Sequence, residues 1–395
     1  MVSRAMSMEH ASRRQVSTSI KADNILEKAK VILVMLCGVI TASPSVCAQE
    51  LAEAYHDQFL TGTAISNDTL SKALPATDTP VCKEFNAFTA ENAMKWQSLQ
   101  PRDGEFDFSL ADKLFELADR CGASVIGHTL IWHQQTPEWV FKDEKGAEIS
   151  RKHLLERMKE HIYTVAGRYK GRVLGWDVVN EALNDDGSLR DTPWRRIIGD
   201  DYLIQAFRFA READPDAQLY YNDFNLYKPE KVAGAVRLVH QLTDAGIDIS
   251  AVGMQGHYSL FYPELSAVEE SIKTLISAGT KVSLTELDVS VLPVPEESFD
   301  GADVNQRYVA DPLYDPYRNG LPESEQKRLA DVYEGLFSLF VKYAAHIDRV
   351  TLWGTSDDES WRNNWPVRGR VDYPLLFDRN GQPKLAYKVI VKKAP

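Results

Sequence analysis

Residues 173–181 read VLGWDVVNE, a run of apolar and β-branched residues that ends in an amide and a carboxylate. Such a run is typical of a strand that is buried on both faces, as strands are in a parallel sheet. Seven similar runs occur along the chain, so we expect eight strands, at residues 60–64, 85–89, 124–130, 173–179, 218–221, 249–255, 281–286 and 349–353.

Helical periodicity fills most of the gaps between these strands. Apolar residues recur at three- and four-residue spacing in segments 110–120, 154–169, 231–245, 265–278 and 323–345. Strands that alternate with helices in this way predict an α/β protein, specifically a (β/α)8 TIM barrel. A doubly wound open sheet is the structural alternative, and the lack of a G-x-G-x-x-G motif after the first strand argues against its dinucleotide-binding form.

The composition is that of an ordinary globular protein. The chain has 395 residues, of which 44% are hydrophobic, with 45 Lys and Arg against 57 Asp and Glu, for a net charge of −12. These values exclude a disordered chain, a collagen and a small disulfide scaffold. An acidic chain repels a phosphate backbone, so we expect no nucleic-acid partner.

The first 48 residues have the pattern of a secretory signal peptide. Lys21, Lys28 and Lys30 precede the apolar run VILVMLCGVITA at 31–42, which is too short to span a bilayer as a helix, and small residues follow it up to Ala48. We therefore predict that residues 1–48 are removed and that the protein is secreted, to the periplasm or outside the cell, with no membrane attachment afterwards. No linker divides the rest, so 49–395 is predicted to be a single (β/α)8 catalytic domain.

Polar residues concentrate where the predicted strands end. In a (β/α)8 barrel this is the face that carries active sites, because the loops that follow the strands meet there. In a barrel without a site on this face, polar residues would not be expected at so many strand ends. The segments concerned are 91–96, 127–133, 176–181, 221–223, 255–258, 285–288 and 353–354.

Two carboxylates stand out among these strand ends. Glu181 ends the fourth predicted strand and Glu286 the seventh. A retaining glycosidase needs two carboxyl groups about 5–5.5 Å apart, one as acid and one as nucleophile. Either residue alone is more simply a surface carboxylate, but the pair predicts a catalytic couple in which one member keeps its proton near neutral pH.

The neighbours of these carboxylates support catalytic roles. Residues 286 and 288 share one face of an extended strand, so His257 is expected to bridge Asp288 and Glu286 and to hold Glu286 anionic. Asn180 is a neutral donor suited to a sugar hydroxyl, and His128 can pair with Asp177. The indole rings of Trp132, Trp353 and Trp361 are either core residues or surfaces on which sugars stack. The polar cluster of Glu91, Asn92 and Lys95 either binds sugar hydroxyls or simply begins a helix.

The chain resembles the endo-β-1,4-xylanases of glycoside hydrolase family 10, and the matching segments occur in the same order over about residues 52–391. The matching segments are 91–96, 127–135 (GHTLIWHQQ), 176–182 (WDVVNEA), 221–225 (YNDFN), 253–258 (GMQGHY), 285–289 (TELDV), 352–361 (LWGTSDDESW) and 373–387 (YPLLFDRNGQPKLAY). The resemblance implies hydrolysis of xylan and xylo-oligosaccharides by a retaining double displacement. It makes Glu181 the acid/base and Glu286 the nucleophile, with no cofactor and no metal.

The same resemblance implies three groups of substrate-binding residues. Those on the non-reducing side are Glu91, Asn92, Lys95, Trp132 and Gln135. Those around the sugar at the cleavage point are His128, Asn180, Gln255, Trp353 and Trp361, and Tyr221 and Tyr258 are assigned to the leaving-group side. We expect a monomer. Segments 292–321 and 362–365 differ from the family pattern and are expected to reshape the cleft walls.

Several alternatives stay open at this stage. A retaining β-1,4-glucanase or mannanase of the same clan would keep the mechanism and change the substrate. A non-catalytic sugar-binding barrel should have lost one carboxylate, and a metal hydrolase using His128, His133 and His257 should have a His-x-His pair on the first strand, which 59–66 lacks. Cys82 and Cys121 either pair, as exported proteins allow, or remain buried thiols.

Overall fold

The computed structural model describes residues 50–295 and 308–395, and within them nine strands form one parallel sheet. The predicted signal peptide, residues 1–48, lies outside the described residues. The strands are β1 (Leu60–Ile65), β2 (Ala87–Ala90), β3 (Ser124–Ile131), β4 (Val173–Asn180), β5 (Gln218–Asp223), β6 (Ala251–Met254), β7 (His257–Ser259), β8 (Lys281–Ser290) and β9 (Ile347–Leu352).

The sheet closes on itself, which confirms the (β/α)8 barrel and makes the open-sheet alternative wrong. Strands β1 to β6 pair in sequence order, β1 also pairs with β9, and β9 pairs with β8. The last gap is closed by β6 and β8, where Ala251 lies opposite Lys281. Short strand β7 adds to the rim of β8 and is not one of the eight barrel strands.

Helices cover the outside of the barrel between successive strands. They are α1 (Leu51–Ala54), α2 (Asn67–Ser71), α3 (Pro80–Glu84), α4 (Trp96–Leu99), α5 (Ser109–Cys121), α6 (Arg151–Arg168), α7 (Pro193–Ile198), α8 (Tyr202–Ala213), α9 (Pro229–Asp244), α10 (Leu265–Ser277), α11 (Glu323–Lys342) and α12 (Leu385–Lys392). None of the described helices is long and apolar enough to cross a bilayer. Helix α8 was not predicted, although its buried Leu203, Ala206, Phe207 and Ala210 have helical spacing.

Strands β7 and β8 differ from the prediction in a way that matters for the site. β8 continues four residues past the predicted end at Glu286, and β7 was not predicted. Their pairing sets His257 opposite Asp288. The rim of the barrel therefore fixes the backbone of both residues as well as their side chains.

Close packing inside the barrel wall constrains residue types. A Cβ atom at Gly127 of β3 would lie 2.1 Å from the ring of Trp176 on β4, which is fully buried. Only glycine leaves room for that ring, because no real Cβ contact is so short. The packing of Trp176 thus depends on the glycine that precedes His128.

A disulfide joins Cys82 of α3 to Cys121 at the end of α5. These helices lead into the neighbouring strands β2 and β3. The sequence left a disulfide and two free thiols equally open, and the structure has the disulfide. The bond closes a loop with a sequence separation of 39 residues.

The long segment after β8 braces the loop that follows β9. The backbone N–H of Tyr308 donates to the Pro366 carbonyl at 3.0 Å, and the Arg318 guanidinium donates to the Gly369 carbonyl at 2.8 Å. The Asp315 carboxylate accepts the N–H of Val371 at 3.1 Å. Residues 308–321 therefore support the loop that carries the end wall of the cleft.

Candidate active site

A cleft of about 330 Å³ opens at the carboxyl ends of the strands. Every residue that lines it was predicted from the sequence as a site residue. The lining residues are Glu91, Asn92, Lys95, His128, Trp132, Gln135, Asn180, Glu181, Gln255, His257, Glu286, Trp353 and Trp361. The predicted residues that do not line it are Asp288, Tyr221 and Tyr258.

Backbone geometry directs both carboxylates into the cleft. Glu181 directly follows β4 and has a left-handed backbone with φ 57°. Its N–H donates to the Asn222 carbonyl at 2.8 Å, and the N–H of Glu286 donates to the Gln255 carbonyl at 2.8 Å. A non-glycine residue in the left-handed region is strained and persists only where the surroundings hold it.

The Glu181 carboxyl group is almost fully enclosed. Trp132 Nε1 donates to its Oε2 at 2.8 Å, and Gln255 Nε2 donates to its Oε1 at 2.9 Å. Burial raises the pKa of Glu181, and the negative charges of Asp223 and Glu286 raise it further, against the effect of these hydrogen bonds. Glu181 therefore keeps its proton to higher pH than an ordinary glutamate, which suits a general acid.

The Glu286 carboxyl group is equally buried but has the opposite ionisation preference. His257 Nε2 lies 3.2 Å from its Oε2, and Asn222 Nδ2 donates to its Oε1 at 2.8 Å. Burial alone would raise the pKa of Glu286, but the hydrogen bond from His257 and the electrostatic interactions with His128, His257 and Lys95 outweigh it and lower the pKa. Glu286 is thus held anionic, as a nucleophile must be.

Charges of alternating sign extend behind Glu286. Asp288 Oδ2 lies 3.0 Å from His257 Nδ1, and Asp288 Oδ1 accepts two hydrogen bonds from Arg362, at 3.0 and 2.9 Å. Burial opposes both charges, but Arg362 and His257 lower the pKa of Asp288 to about 2, and Asp288 and Glu286 raise that of His257 to about 9. Arg362, which is fully buried, was missed as a functional residue; its place directly after Trp361 is the only sequence signal.

A network of amides links the two carboxylates. Asn180 Oδ1 accepts from Asn222 Nδ2 at 3.0 Å, and Gln255 Nε2 lies 3.4 Å from the same oxygen. Through these amides, Glu286 and Glu181 share one rigid hydrogen-bonded frame. Asn222 was not predicted, although it stands among the polar residues that end β5.

One end of the cleft is a polar clamp. Asn92 Oδ1 accepts hydrogen bonds from Lys95 Nζ and from Gln135 Nε2, both at 3.1 Å. The Lys95 ammonium also lies 4.9 Å from the centre of the Trp132 ring. Burial raises the pKa of the neighbouring Glu91. Donors, an acceptor and a ring face are thus combined, as a sugar requires.

Two indoles and an imidazole form the opposite wall. Trp361 Nε1 donates to Asp288 Oδ2 at 2.7 Å, and its ring stacks on Trp365 with centroids 4.8 Å apart. Trp353 packs edge-on to His128, whose Nδ1 lies 2.9 Å from Asp177. The expected pairing of His128 with Asp177 is therefore present, and it orients the ring toward the cleft.

The two predicted tyrosines lie elsewhere. Tyr221 is fully buried, where its hydroxyl accepts the N–H of Ala182 at 3.1 Å and donates to Asp223 at 2.5 Å. Its substrate-binding role is therefore replaced by a supporting one. Tyr258 packs against Tyr227 and lines a separate surface groove.

No group of three or more His, Cys, Asp and Glu side chains in the described part of the chain is arranged to hold a metal ion. Of the histidines that the metal alternative requires, His128 lies 2.9 Å from Asp177 and His257 lies 3.0 Å from Asp288.

Comparison with known proteins agrees with this geometry. A family model described as glycosyl hydrolase family 10 matches residues 50–393. The chain is 45% identical to endo-1,4-beta-xylanase A of Xylanibacter ruminicola over 334 residues, which cover 85% of this chain and 90% of that one. It is similar to the structure of a GH10 endoxylanase from a sugarcane soil metagenome, with TM-score 0.82, 41% identity and coverage of 88% and 100%. A mutant structure in complex with xylotriose matches with TM-score 0.76, 36% identity and coverage of 87% and 99%.

Proposed function

Because the chain belongs to glycosyl hydrolase family 10, we propose that it is an endo-1,4-β-xylanase that hydrolyses internal β-1,4 bonds of xylan with retention of configuration. One observation carries the mechanism: two buried carboxyl groups face the same cleft, and their surroundings drive their ionisation in opposite directions. The substrate assignment rests on the relatives, which are named as xylanases.

In the first step Glu286 attacks the anomeric carbon. The bond from that carbon to the glycosidic oxygen breaks, and Glu181 gives its proton to the departing oxygen. A glycosyl ester of Glu286 forms, and Glu181 is left ionised. The free enzyme is already biased toward this starting state, because burial and the charges of Asp223 and Glu286 raise the pKa of Glu181, whereas the hydrogen bond from His257 and nearby electrostatic interactions lower that of Glu286.

In the second step a water molecule attacks the same carbon. Glu286 has lost its negative charge on forming the ester, so it no longer raises the pKa of Glu181. Glu181 takes a proton from the water as the new bond forms, and the Glu286 carboxylate leaves. Two inversions at one carbon give a product of retained β configuration.

Substrate position follows from the polar clamp and the aromatic wall. The clamp residues Asn92, Lys95 and Gln135 are assigned to the glycone sugars, and Trp353 and Trp361 enclose the sugar at the cleavage point. Tyr258 remains assigned to the leaving-group side on the family resemblance alone, and it lines a groove separate from the cleft.

Substrate class is tested by reducing-sugar release from soluble glucuronoxylan, carboxymethylcellulose and mannan in parallel. We expect short xylo-oligosaccharides from xylan alone and no release by the Glu286→Ala variant. Release from cellulose or mannan instead would favour the glucanase or mannanase alternative. If the folded wild-type protein released no sugar from any of the three polymers, a non-catalytic sugar-binding barrel would be favoured.

We also propose that the protein is exported after removal of residues 1–48 and acts as a monomer. The disulfide between Cys82 and Cys121 supports an oxidising compartment, and the whole cleft is built from one chain. Intact-mass analysis of exported protein should give a chain that begins at Gln49. A secreted chain that retains Met1 would contradict the cleavage proposal.

A further inference from the structure

The loop that begins at Glu181 is fastened to the strand beneath it. The N–H of Ala182 donates to the Tyr221 hydroxyl at 3.1 Å, and the N–H of Leu183 donates to Asp223 Oδ2 at 3.3 Å. Arg190 Nε donates to the Glu181 carbonyl at 3.2 Å. The left-handed backbone at Glu181 is thus held by hydrogen bonds on the residues that follow it.

Asp223 is the centre of this arrangement and lies outside the cleft. Its Oδ1 lies 2.9 Å from the Lys231 ammonium, and its Oδ2 accepts from the Tyr221 hydroxyl as well as from Leu183. Asp223 and Lys231 are both fully buried. Lys231 is therefore the counter-ion of Asp223, since a buried charge without a partner would be costly.

Lys231 itself is held from two further directions. Its ammonium lies 3.2 Å from Asp185 and 3.6 Å from the centre of the Phe224 ring. Asp185 belongs to the same loop as Glu181 and also pairs with Lys228 at 2.6 Å. The first turn of α9 therefore contacts both Asp223 and the loop that carries Glu181.

We propose that Asp223, with Lys231 as its counter-ion, is a positioning residue that holds the acid/base Glu181 in place and biases it toward its protonated form. The inference rests on the proposed function, because it presupposes that Glu181 is the acid/base. Asp223 acts through the backbone of Ala182 and Leu183 and through its negative charge, without touching substrate.

The other charges near Glu181 do not duplicate this role. The titratable and charged groups around Glu181 and its partner Asp223 are Tyr221 and Asp223 on β5, Tyr202 on α8, Glu286 on β8, Lys95 after β2, Arg190 in the same loop, and Lys231 and Asp185 behind Asp223. After burial, Asp223 raises the pKa of Glu181 most, ahead of Glu286.

Asp223 and Glu286 differ in how long their charges last. The charge of Glu286 disappears when the glycosyl ester forms, whereas that of Asp223 persists through both steps. Glu286 therefore provides the change in acidity between the steps, and Asp223 provides a constant bias. That bias keeps ionised Glu181 basic enough to take a proton from water in the second step.

The test is the pH dependence of the Asp223→Asn variant, with Asp185→Asn as matched control. Both variants remove one carboxylate from Lys231, but only the first removes the charge that acts on Glu181. In Asp223→Asn the pKa of Glu181 falls, so the basic limb of kcat/KM on an aryl xylobioside should move to lower pH by about one unit or more. KM should stay unchanged because Asp223 is not in the cleft, and Asp185→Asn should leave the basic limb in place.

A folded Asp223→Asn variant with an unmoved basic limb would overturn the inference, as would an equal shift in Asp185→Asn. If Asp223→Asn does not fold, Tyr221→Phe decides: a positioning role predicts that kcat falls several-fold at constant KM, and a rise in KM at constant kcat overturns it. Wild-type protein on the same substrate separates the two proposals. If the wild type is inactive, the proposed function fails. If the wild type is active and the basic limb of the Asp223→Asn variant does not move, only the proposed role of Asp223 is overturned.

Discussion

Removal of the charge on Asp288 tests whether the groups behind Glu286 govern its ionisation. In the Asp288→Asn variant an amide replaces the carboxylate that accepts from Arg362, Trp361 and His257. The pKa of His257 is about 9 instead of 6.5, and one pH unit corresponds to 1.36 kcal/mol, so its surroundings favour the protonated ring by roughly 3 kcal/mol. Burial lowers the pKa of His257, and among the groups that raise this pKa Asp288 contributes most.

Without that charge, His257 becomes neutral in the working pH range, since burial lowers its pKa. A neutral ring has only one N–H, so even where Nε2 still donates it to Glu286 the positive charge is lost, and the pKa of Glu286 rises. We expect kcat to fall, by at most about 100-fold if all of that roughly 3 kcal/mol were lost from the transition state. The acid limb of kcat/KM should also move to higher pH, because Glu286 must be ionised to attack.

The assay is initial-rate kinetics on an aryl xylobioside from pH 4 to pH 9, with circular dichroism to show that the variant is folded. Asp358→Asn is the control, because Asp358 is an exposed carboxylate in the segment after β9 that also carries Trp361 and Arg362, and it should behave as wild type. A folded Asp288→Asn variant with wild-type kcat and an unchanged acid limb would refute the reasoning.

Three further predictions concern the acid/base, the polar clamp and the disulfide. Glu181→Ala should lose roughly 10²–10⁴-fold in xylan hydrolysis and be rescued by azide on a dinitrophenyl xylobioside, because only proton transfer is missing; no rescue in a folded variant contradicts the role. Lys95→Met should raise KM for xylotriose about tenfold at similar kcat, and an unchanged KM argues against the clamp. The Cys82→Ser/Cys121→Ser double variant should lose about 4 kcal/mol in unfolding free energy, as loop closure over a separation of 39 residues implies; a denaturation midpoint equal to wild type removes the disulfide from the stability account.

The cleft could be predicted from the sequence because strand ends in a closed parallel barrel converge on one face. The polar residues at those ends, such as Glu181, Gln255 and Glu286, needed only the strand order to be brought together. Family resemblance added Gln135, in a loop beyond the strands, and decided between core and sugar contact for Trp361.

The supporting residues could not be found in that way. Arg362 follows β9 by ten residues, and only its side-chain direction brings it to Asp288. The buried position of Tyr221 could have been predicted, since successive side chains of a strand point to opposite sides. Asn222 points to the cleft network, so Tyr221 and Asp223 must point away from it.

The disulfide and the rim strand show a second limit of sequence reasoning. Topology predicts that the segments carrying Cys82 and Cys121 are neighbours, but bonding depends on Cα positions, here 4.8 Å apart, which a strand order does not supply. Strand β7 has three residues, too few for a periodic pattern, and its existence follows from pairing with the extended β8.

The central claim is that Glu286 forms a covalent bond with the sugar, and trapping of that intermediate tests it most directly. A dinitrophenyl 2-deoxy-2-fluoro-xylobioside has a leaving group that speeds the first step, and its fluorine slows the second, so the ester should accumulate. Mass spectrometry should then show one fluoroxylobiosyl group per chain, located by peptide mapping on Glu286 and missing from the Glu286→Gln variant. A label on Glu181 or on another residue, or no label on active enzyme, would contradict the account.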